Sequence, residues 1–260
     1  MKLENKVSIV TGGAKGMGRD ISLTLAREGA DLVLASRDTN ALEKVANEVR
    51  SLGRRVEIVG TDVTSDTEVA AMVNRTLSVF GGRIDILVNV AGIPGPVETS
   101  LWDIEPAAFR EVLDVNVVGT FLPIKYVLPT MIAQRRGKIV TIGSTAGLRG
   151  YKNRAGYSAS KWALRGLTRT IAIEVGPYNI NINCVLPGPV EGPRMEMLCK
   201  RKADLWGWTV EEVHQHYEKS QVLERTTEAQ DTANAVLFLV SEDSRNITGQ
   251  DVSVDAGWGL

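Results

Sequence analysis

Short apolar runs recur along the chain, each followed by a stretch of helical periodicity. The runs are VSIV (7–10), DLVLA (31–35), VEIV (56–59), IDILVNV (84–90), KIVTI (138–142), INCVL (182–186) and DVSV (251–254). They are continuous and rich in Val and Ile, not alternating, as in strands covered on both faces of a parallel sheet. Between them, helical patterns fall over 17–29, 38–52, 66–80, 106–135, 156–176 and 228–241. Regular alternation of the two predicts an α/β fold with a doubly wound sheet. No linker, repeat or break in composition interrupts it, so residues 1–260 are expected to form one domain.

One region departs from the alternation. From 187 to 225 there is no strand pattern, and Thr209 with Glu212 fits a capping box, so a helix is expected to start there. An insertion of this length before the last strand suits a substrate lid.

Composition narrows the function classes. A hydrophobic share of 43% supports a packed core, and a net charge of −1 gives no field that would favour nucleic acid or an anionic membrane. The two cysteines imply no disulfide framework, and Cys184, inside INCVLPG, reads as a buried small hydrophobe. His214 and His216 lie on opposite sides of any helix, so no metal site is expected. No stretch is judged to approach transmembrane length and the N-terminus carries no cleavage signature, which leads to an expected cytoplasmic location.

The first candidate chemistry is a phosphate site. TGGAKGMG follows the first strand and opens a helix. Gly12 permits a tight turn, while Gly16, Met17 and Gly18 would bring bare backbone to a pyrophosphate at a helix N-terminus. The second strand ends in LASRD. An NAD-preferring dinucleotide fold usually offers an acid there to the ribose hydroxyls. Here the position is Ser36, followed by Arg37, whose guanidinium suits a 2′-phosphate; Lys15 adds a second cation. Asp38 is expected to cap the next helix instead. NADP(H) is therefore favoured over NAD(H).

The second candidate is YSASK. On a helix Tyr157 and Lys161 share a face, so the ammonium can favour the tyrosinate form of a group whose unperturbed pKa is about 10. A phenol tuned this way can give a proton to a carbonyl oxygen or take one from an alcohol.

With TGGAKGMG, YSASK and PGPV in this order, the chain resembles the short-chain dehydrogenases/reductases over essentially its whole length. The resemblance implies a Rossmann-type sheet of seven parallel strands with helices on both faces. It implies that Asp62 and Val63 contact the adenine ring, and that Asn89, Ala91 and Gly92 pack by the adenosine ribose. Pro187, Gly188 and Val190 would hold the nicotinamide. It places Asn116, Ser144, Tyr157 and Lys161 in a catalytic set: Ser144 fixing the carbonyl oxygen, Lys161 also holding the nicotinamide ribose, and Asn116 supporting a water that relays protons to Lys161. It also implies a homotetramer built on the 106–135 and 156–176 helices, acting on a small carbonyl or alcohol substrate. Two positions depart from the family pattern. Val90 stands where many members have a second asparagine, and Gly192 where many have a hydroxyl residue.

For the substrate, Met195, Met197, Leu198, Trp206 and Trp208, with Ile93, Pro94 and Trp102, can build an apolar pocket, and Arg149 can meet an anionic group. An NAD-dependent sugar, polyol or hydroxy-acid dehydrogenase is the alternative if Arg37 points away. A catalytically quiet dinucleotide sensor is a third reading, disfavoured by the intact Ser144, Tyr157 and Lys161.

Overall fold

The computed structural model describes residues 1–260. Seven strands form a single parallel sheet: β1 (Val7–Thr11), β2 (Asp31–Ser36), β3 (Val56–Gly60), β4 (Ile86–Asn89), β5 (Gly137–Ile142), β6 (Ile180–Pro187) and β7 (Asp251–Val254). Their order is β3-β2-β1-β4-β5-β6-β7. The order reverses between β1 and β4, where Thr11 lies beside Asn89 on one side and Ala35 on the other. A crevice opens at such a switch point, outside the carboxyl ends of the strands.

Helices cover both faces. α1 (Gly16–Arg27), α2 (Thr39–Ser51) and α9 (Ala229–Val240) share one core with β1, β2, β4, β5 and β6. α3 (Asp66–Val79), α5 (Gly119–Gln134) and α6 (Ala155–Val175) share the other. Central strand residues such as Ile9, Val33, Leu87 and Ile182 are fully buried. That double cover is why the inner strands read as nearly unbroken apolar runs; the edge strands β3 and β7 have no buried residue.

Two boundaries differ from the sequence pattern for local reasons. β4 starts at Ile86, not at 84. The Ile84 backbone is claimed by a side chain: its N–H donates to Gln134 Oε1 at 3.2 Å, and Gln134 Nε2 donates to its carbonyl at 2.7 Å. The 106–135 pattern becomes α4 (Pro106–Leu113), a π turn at Asp114–Val118, and α5. At the π turn Thr120 Oγ1 donates to the Asn116 carbonyl at 2.8 Å. The same run, 106–134, corrects the expectation about membrane length: by length and composition it is apolar enough to cross a bilayer. In the structure it is wrapped into the fold, with α5 lying on α3, β4 and β5.

The excursion after β6 holds two helices, α7 (Pro193–Trp206) and α8 (Val210–Lys219). The expected capping box is present at Thr209 and Glu212. α7 was not expected. Its buried positions Met195, Cys199 and Ala203 recur every four residues, and they pack with Val213, Tyr217 and Trp258 into a small core of their own. Pro193 occupies its first turn, where a missing N–H costs nothing. The excursion leaves and returns through one bridge, Val190 beside Thr227, with Glu191 N–H donating to Thr227 O at 3.0 Å and Thr227 N–H to Pro189 O at 3.3 Å.

Candidate active site

A cavity of about 690 Å³ lies along the carboxyl ends of the central strands. The loop 12–19 forms one end, the turns 90–92 and 142–146 form the floor, and Tyr151, Arg154, Tyr157 and Lys161 form the far wall. Residues 187–195, with Leu198 and Tyr217, roof it.

At the loop end the backbone is bare. Gly12 has φ +70°, and a Cβ there would come within 2.7 Å of Ala91 N. Lys15, which precedes α1, has an extended backbone and offers no side-chain cap. The first N–H groups of α1 therefore have no side-chain cap, at the end of the helix that carries partial positive charge. This arrangement fits a pyrophosphate.

The end of β2 carries two ion pairs. Lys15 Nζ stands 2.7 Å from Asp38 Oδ2, and Arg37 Nη1 stands 3.9 Å from Asp62 Oδ2. Asp38 caps α2 by accepting from Ala41 N at 3.0 Å, and its carboxyl is held below its ordinary range by Lys15 and then by that N–H. Asp62 is likewise held low, first by the Thr64 N–H and hydroxyl, against the effect of burial, with Arg37 adding to it. Val63 is buried against the start of α5, where a Cβ on Gly119 would meet it at 2.6 Å. Ser36, Arg37, Asp62 and Val63 do not line the cavity; Ser36, Arg37 and Asp62 form an open shelf beside it, at the ends of β2 and β3, with Val63 buried beneath.

At the other end Lys161 is buried, and its Nζ donates to Ile142 O at 2.9 Å and lies 5.6 Å from the Tyr157 ring centre. The Tyr157 phenol faces the Ser144 hydroxyl. Burial alone would raise the phenol's pKa. The charges of Lys161 and Arg194, the Ser144 hydrogen bond and Arg154 outweigh it and bring Tyr157 below its ordinary value. Lys161 is also lowered, by burial first and then by Arg194, against the pull of Tyr157. Ser144 is fixed by accepting from Ala146 N at 3.1 Å.

Ala91, Gly92, Pro187, Gly188 and Val190 line the cavity together with Gly12, Lys15, Gly16, Met17, Gly18, Ser144, Tyr157 and Lys161. Besides the four residues of the shelf, two more expected residues do not. Asn89 ends β4 inside the sheet, 3% exposed, with neither side-chain polar atom bonded. It is still held within the sheet, between Thr11 and Thr141, while Val90 and Ala91, beyond the end of the strand, reach the crevice. Asn116 sits behind the wall, fully buried. Its Oδ1 accepts from Ile93 N at 2.8 Å, and its Nδ2 donates to Ile93 O and to Ser160 Oγ, 3.1 and 3.0 Å away. These bonds tie the 93 turn to α6.

The substrate-pocket expectation needs correction as well. Met195 and Leu198 line the cavity, but Trp206 and Trp208 pack on His216, outside it, and Trp102 is 86% exposed. Arg149 is exposed and lies over the Trp258 ring at 4.7 Å, also outside. Two other arginines face the cavity, Arg154 and Arg194. Arg154 stands three residues before Tyr157, and that same-face spacing was the available signal. Arg194 Nη2 donates to Gly92 O at 2.8 Å, close to where Gly192 takes φ +129° to start α7.

The family model described as enoyl-(acyl carrier protein) reductase matches residues 12–259. The trans-4-hydroxycyclohexanecarboxylate dehydrogenase of Sinomonas cyclohexanicum is 36% identical over 264 residues, covering 98% of this chain and 93% of that protein. NAD+-bound xylitol dehydrogenase superposes with a TM-score of 0.93 at 33% identity, covering 98% and 99% of the two chains. A single-substitution variant of actinorhodin polyketide ketoreductase with NADPH superposes with a TM-score of 0.93 at 30% identity, covering 98% and 97%.

Proposed function

Because the chain belongs to the short-chain dehydrogenase/reductase family, we propose that it moves a hydride between NADP(H) and a carbonyl or secondary alcohol, with Tyr157 as its acid–base group. The chain is an oxidoreductase of CH–OH and C=O groups that works with a nicotinamide dinucleotide. One observation carries the finer reading: the Tyr157 phenol, above the Lys161 ammonium and facing Ser144, lines the same cavity as the uncapped N-terminus of α1.

The dinucleotide, when bound, supplies or accepts the hydride. The protein handles the proton and the geometry. In reduction the Tyr157 hydroxyl donates to the carbonyl oxygen, and the Ser144 hydroxyl holds that oxygen in place. In oxidation tyrosinate takes the alcohol proton. Lys161 favours the tyrosinate through its charge, and Asn116 braces the helix that carries Lys161 through Ser160. The roof, α7 and α8, acts as the substrate lid. Exposed Phe121 on α5 and Trp162 and Ile173 on α6 supply the faces that join copies into a homotetramer, for which sedimentation should give four times 28.2 kDa.

The direction of the Tyr157 shift fixes a pH dependence. The folded-state pKa is lowered, so the base form is present at lower pH than for a free phenol. Alcohol oxidation should rise as pH increases through that pKa, and carbonyl reduction should fall. Lys161→Met removes the largest lowering influence, so the oxidation limb should move to higher pH in a kcat profile. An unmoved limb would assign it to another group.

For the dinucleotide, Arg37 is 75% side-chain exposed, and with Lys15 it brings two cations to the end of β2, where Ser36 stands in place of an acid. A fluorescence titration tests this. Arg37→Ala should weaken NADPH at least about tenfold, the range of a lost charge-assisted contact, with NADH little changed. The Arg37–Asp62 pair favours a second reading, in which Arg37 points away from the 2′ position and the chain is an NAD-dependent sugar, polyol or hydroxy-acid dehydrogenase. NADH binding equal to or tighter than NADPH, and indifferent to Arg37→Ala, would select it.

A further inference from the structure

The far wall of the cavity holds an arginine with almost nothing to pair with. Arg154 is 7% exposed and stands just before α6. Its guanidinium carbon lies 4.7 Å from the centre of the Tyr157 ring. A guanidinium has five N–H donors in a planar fork. Here only Nη2 meets a protein acceptor, Pro94 O, at 3.4 Å, and Nε is buried with no partner at all. A buried, unpaired charge is expensive, and proteins pair such groups with few exceptions.

The acids nearby are committed elsewhere. Glu98 pairs with Lys202 at 3.5 Å, and Glu191, on the roof, is bonded to the Thr226 hydroxyl. A second arginine, Arg194, faces the same space from the roof. Its one protein acceptor is the Gly92 carbonyl. The substrate end of the cavity thus combines two guanidiniums and the Lys161 ammonium with apolar surface from Met195 and Leu198.

We propose that Arg154, assisted by Arg194, is a carboxylate-binding subsite, so that the substrate is an oxo acid or hydroxy acid with an apolar body between its reacting carbon and its carboxylate. This rests on the oxidoreductase reading above and narrows it to a substrate class. The carboxylate meets the open face of the Arg154 fork and leaves Tyr157, three residues along α6, for the oxygen that reacts. Arg149 takes no part, because it lies outside the cavity over Trp258.

The test uses the protein saturated with its preferred dinucleotide. Calorimetry compares cyclohexanecarboxylate with cyclohexanecarboxamide, which have the same shape and differ in charge. The carboxylate should bind about tenfold tighter or more, as for a charge-assisted bond. Arg154→Gln should reduce that preference to below about twofold, and Arg154→Lys should keep part of it, since a point charge replaces a fork. Arg149→Gln should leave it intact. Unchanged dinucleotide affinity in the Arg154 variants establishes that they are folded. Equal binding of the two probes to the unsubstituted protein, or a preference that survives in Arg154→Gln, overturns the proposal. Turnover of 4-oxocyclohexanecarboxylate and of its methyl ester separates the two readings. Ester turnover without any carboxylate preference removes the subsite and leaves the oxidoreductase chemistry standing. A carboxylate preference in binding, with neither ketone reduced, supports the subsite and counts against the role given to Tyr157.

Discussion

Tyr157→Phe should lower turnover by about 10³-fold, within the range of a lost general acid–base group, while dinucleotide binding stays within about twofold. The contrast follows from what surrounds the ring. It sits between two cations, with the Arg154 guanidinium 4.7 Å and the Lys161 ammonium 5.6 Å from its centre. Both contacts are to the ring rather than to its hydroxyl, so phenylalanine preserves them. Lys161 keeps its own anchor, the Ile142 carbonyl. Only the phenolic oxygen and its Ser144 contact are lost. Turnover against a ketone panel and a fluorescence titration of the same preparation measure the two halves. Residual turnover above about a tenth of wild type would move the proton transfer to a different group.

Gly18→Ala should abolish dinucleotide binding, by at least about 100-fold, and also destabilise the fold. A Cβ on Gly18 would overlap the Gly12 carbonyl and lie 3.1 Å from Gly13 Cα. Both obstacles are backbone. Gly12 cannot retreat, because its N–H donates to Ala35 O at 2.7 Å and its own Cβ direction is closed by Ala91. The loop and α1 must separate, which moves the N–H groups that face the cavity. Overpacking of this kind costs about 1–3 kcal/mol, or a melting shift of several degrees at about 2–4 °C per kcal/mol. Gly176→Ala is the matched control. That glycine ends α6 with φ −52°, and a Cβ there meets nothing within 4 Å. Thermal melts with and without dinucleotide should show both effects in Gly18→Ala and neither in Gly176→Ala. Wild-type affinity in Gly18→Ala would mean that this helix end does not carry the phosphates.

Much of this was legible in the chain, for identifiable physical reasons. The inner strands, covered on both sides, are apolar at most positions and were visible as near-continuous runs, while the edge strands β3 and β7, only partly covered, carry Glu57 and Ser253 within theirs. The phosphate loop was visible because backbone crowding at Gly12 and Gly18 leaves no choice of residue. Tyr157 and Lys161 were visible because helical spacing alone puts them together. What escaped depended on long-range packing. Arg149 and Arg154 look alike in AGLRGYKNR, yet a turn of chain sends one outward over Trp258 and the other into the cavity. Trp206 and Trp208 suggested a pocket, but they pack on His216 instead. α7 was masked by the glycines and prolines just before it, although its Met195, Cys199 and Ala203 stripe carries the period. Asn116 was found by resemblance, while its actual bonds, to Ile93 and Ser160, could be read only once the π turn had placed it.

The bridge between Val190 and Thr227 has a consequence for how this molecule diversifies. Everything between Glu191 and Thr226 leaves the sheet scaffold and returns to it through one closed stem. The cost of closing such a loop grows only slowly with its length, by about 0.6 kcal/mol for each doubling. The roof is therefore an exchangeable cassette. A different pair of helices, or a longer set, can be spliced between the same two points while the sheet, the phosphate loop and Tyr157 stay as they are. What such a replacement must still supply is cover for Trp258 and Tyr151 and the contacts now made to the Gly92 carbonyl, Glu98 and the Ala256 carbonyl. Replacement of this cassette can reshape the apolar cover over the substrate while the phosphate loop, Tyr157 and Lys161 are inherited, with the loss of Arg194 altering how far Tyr157 is tuned.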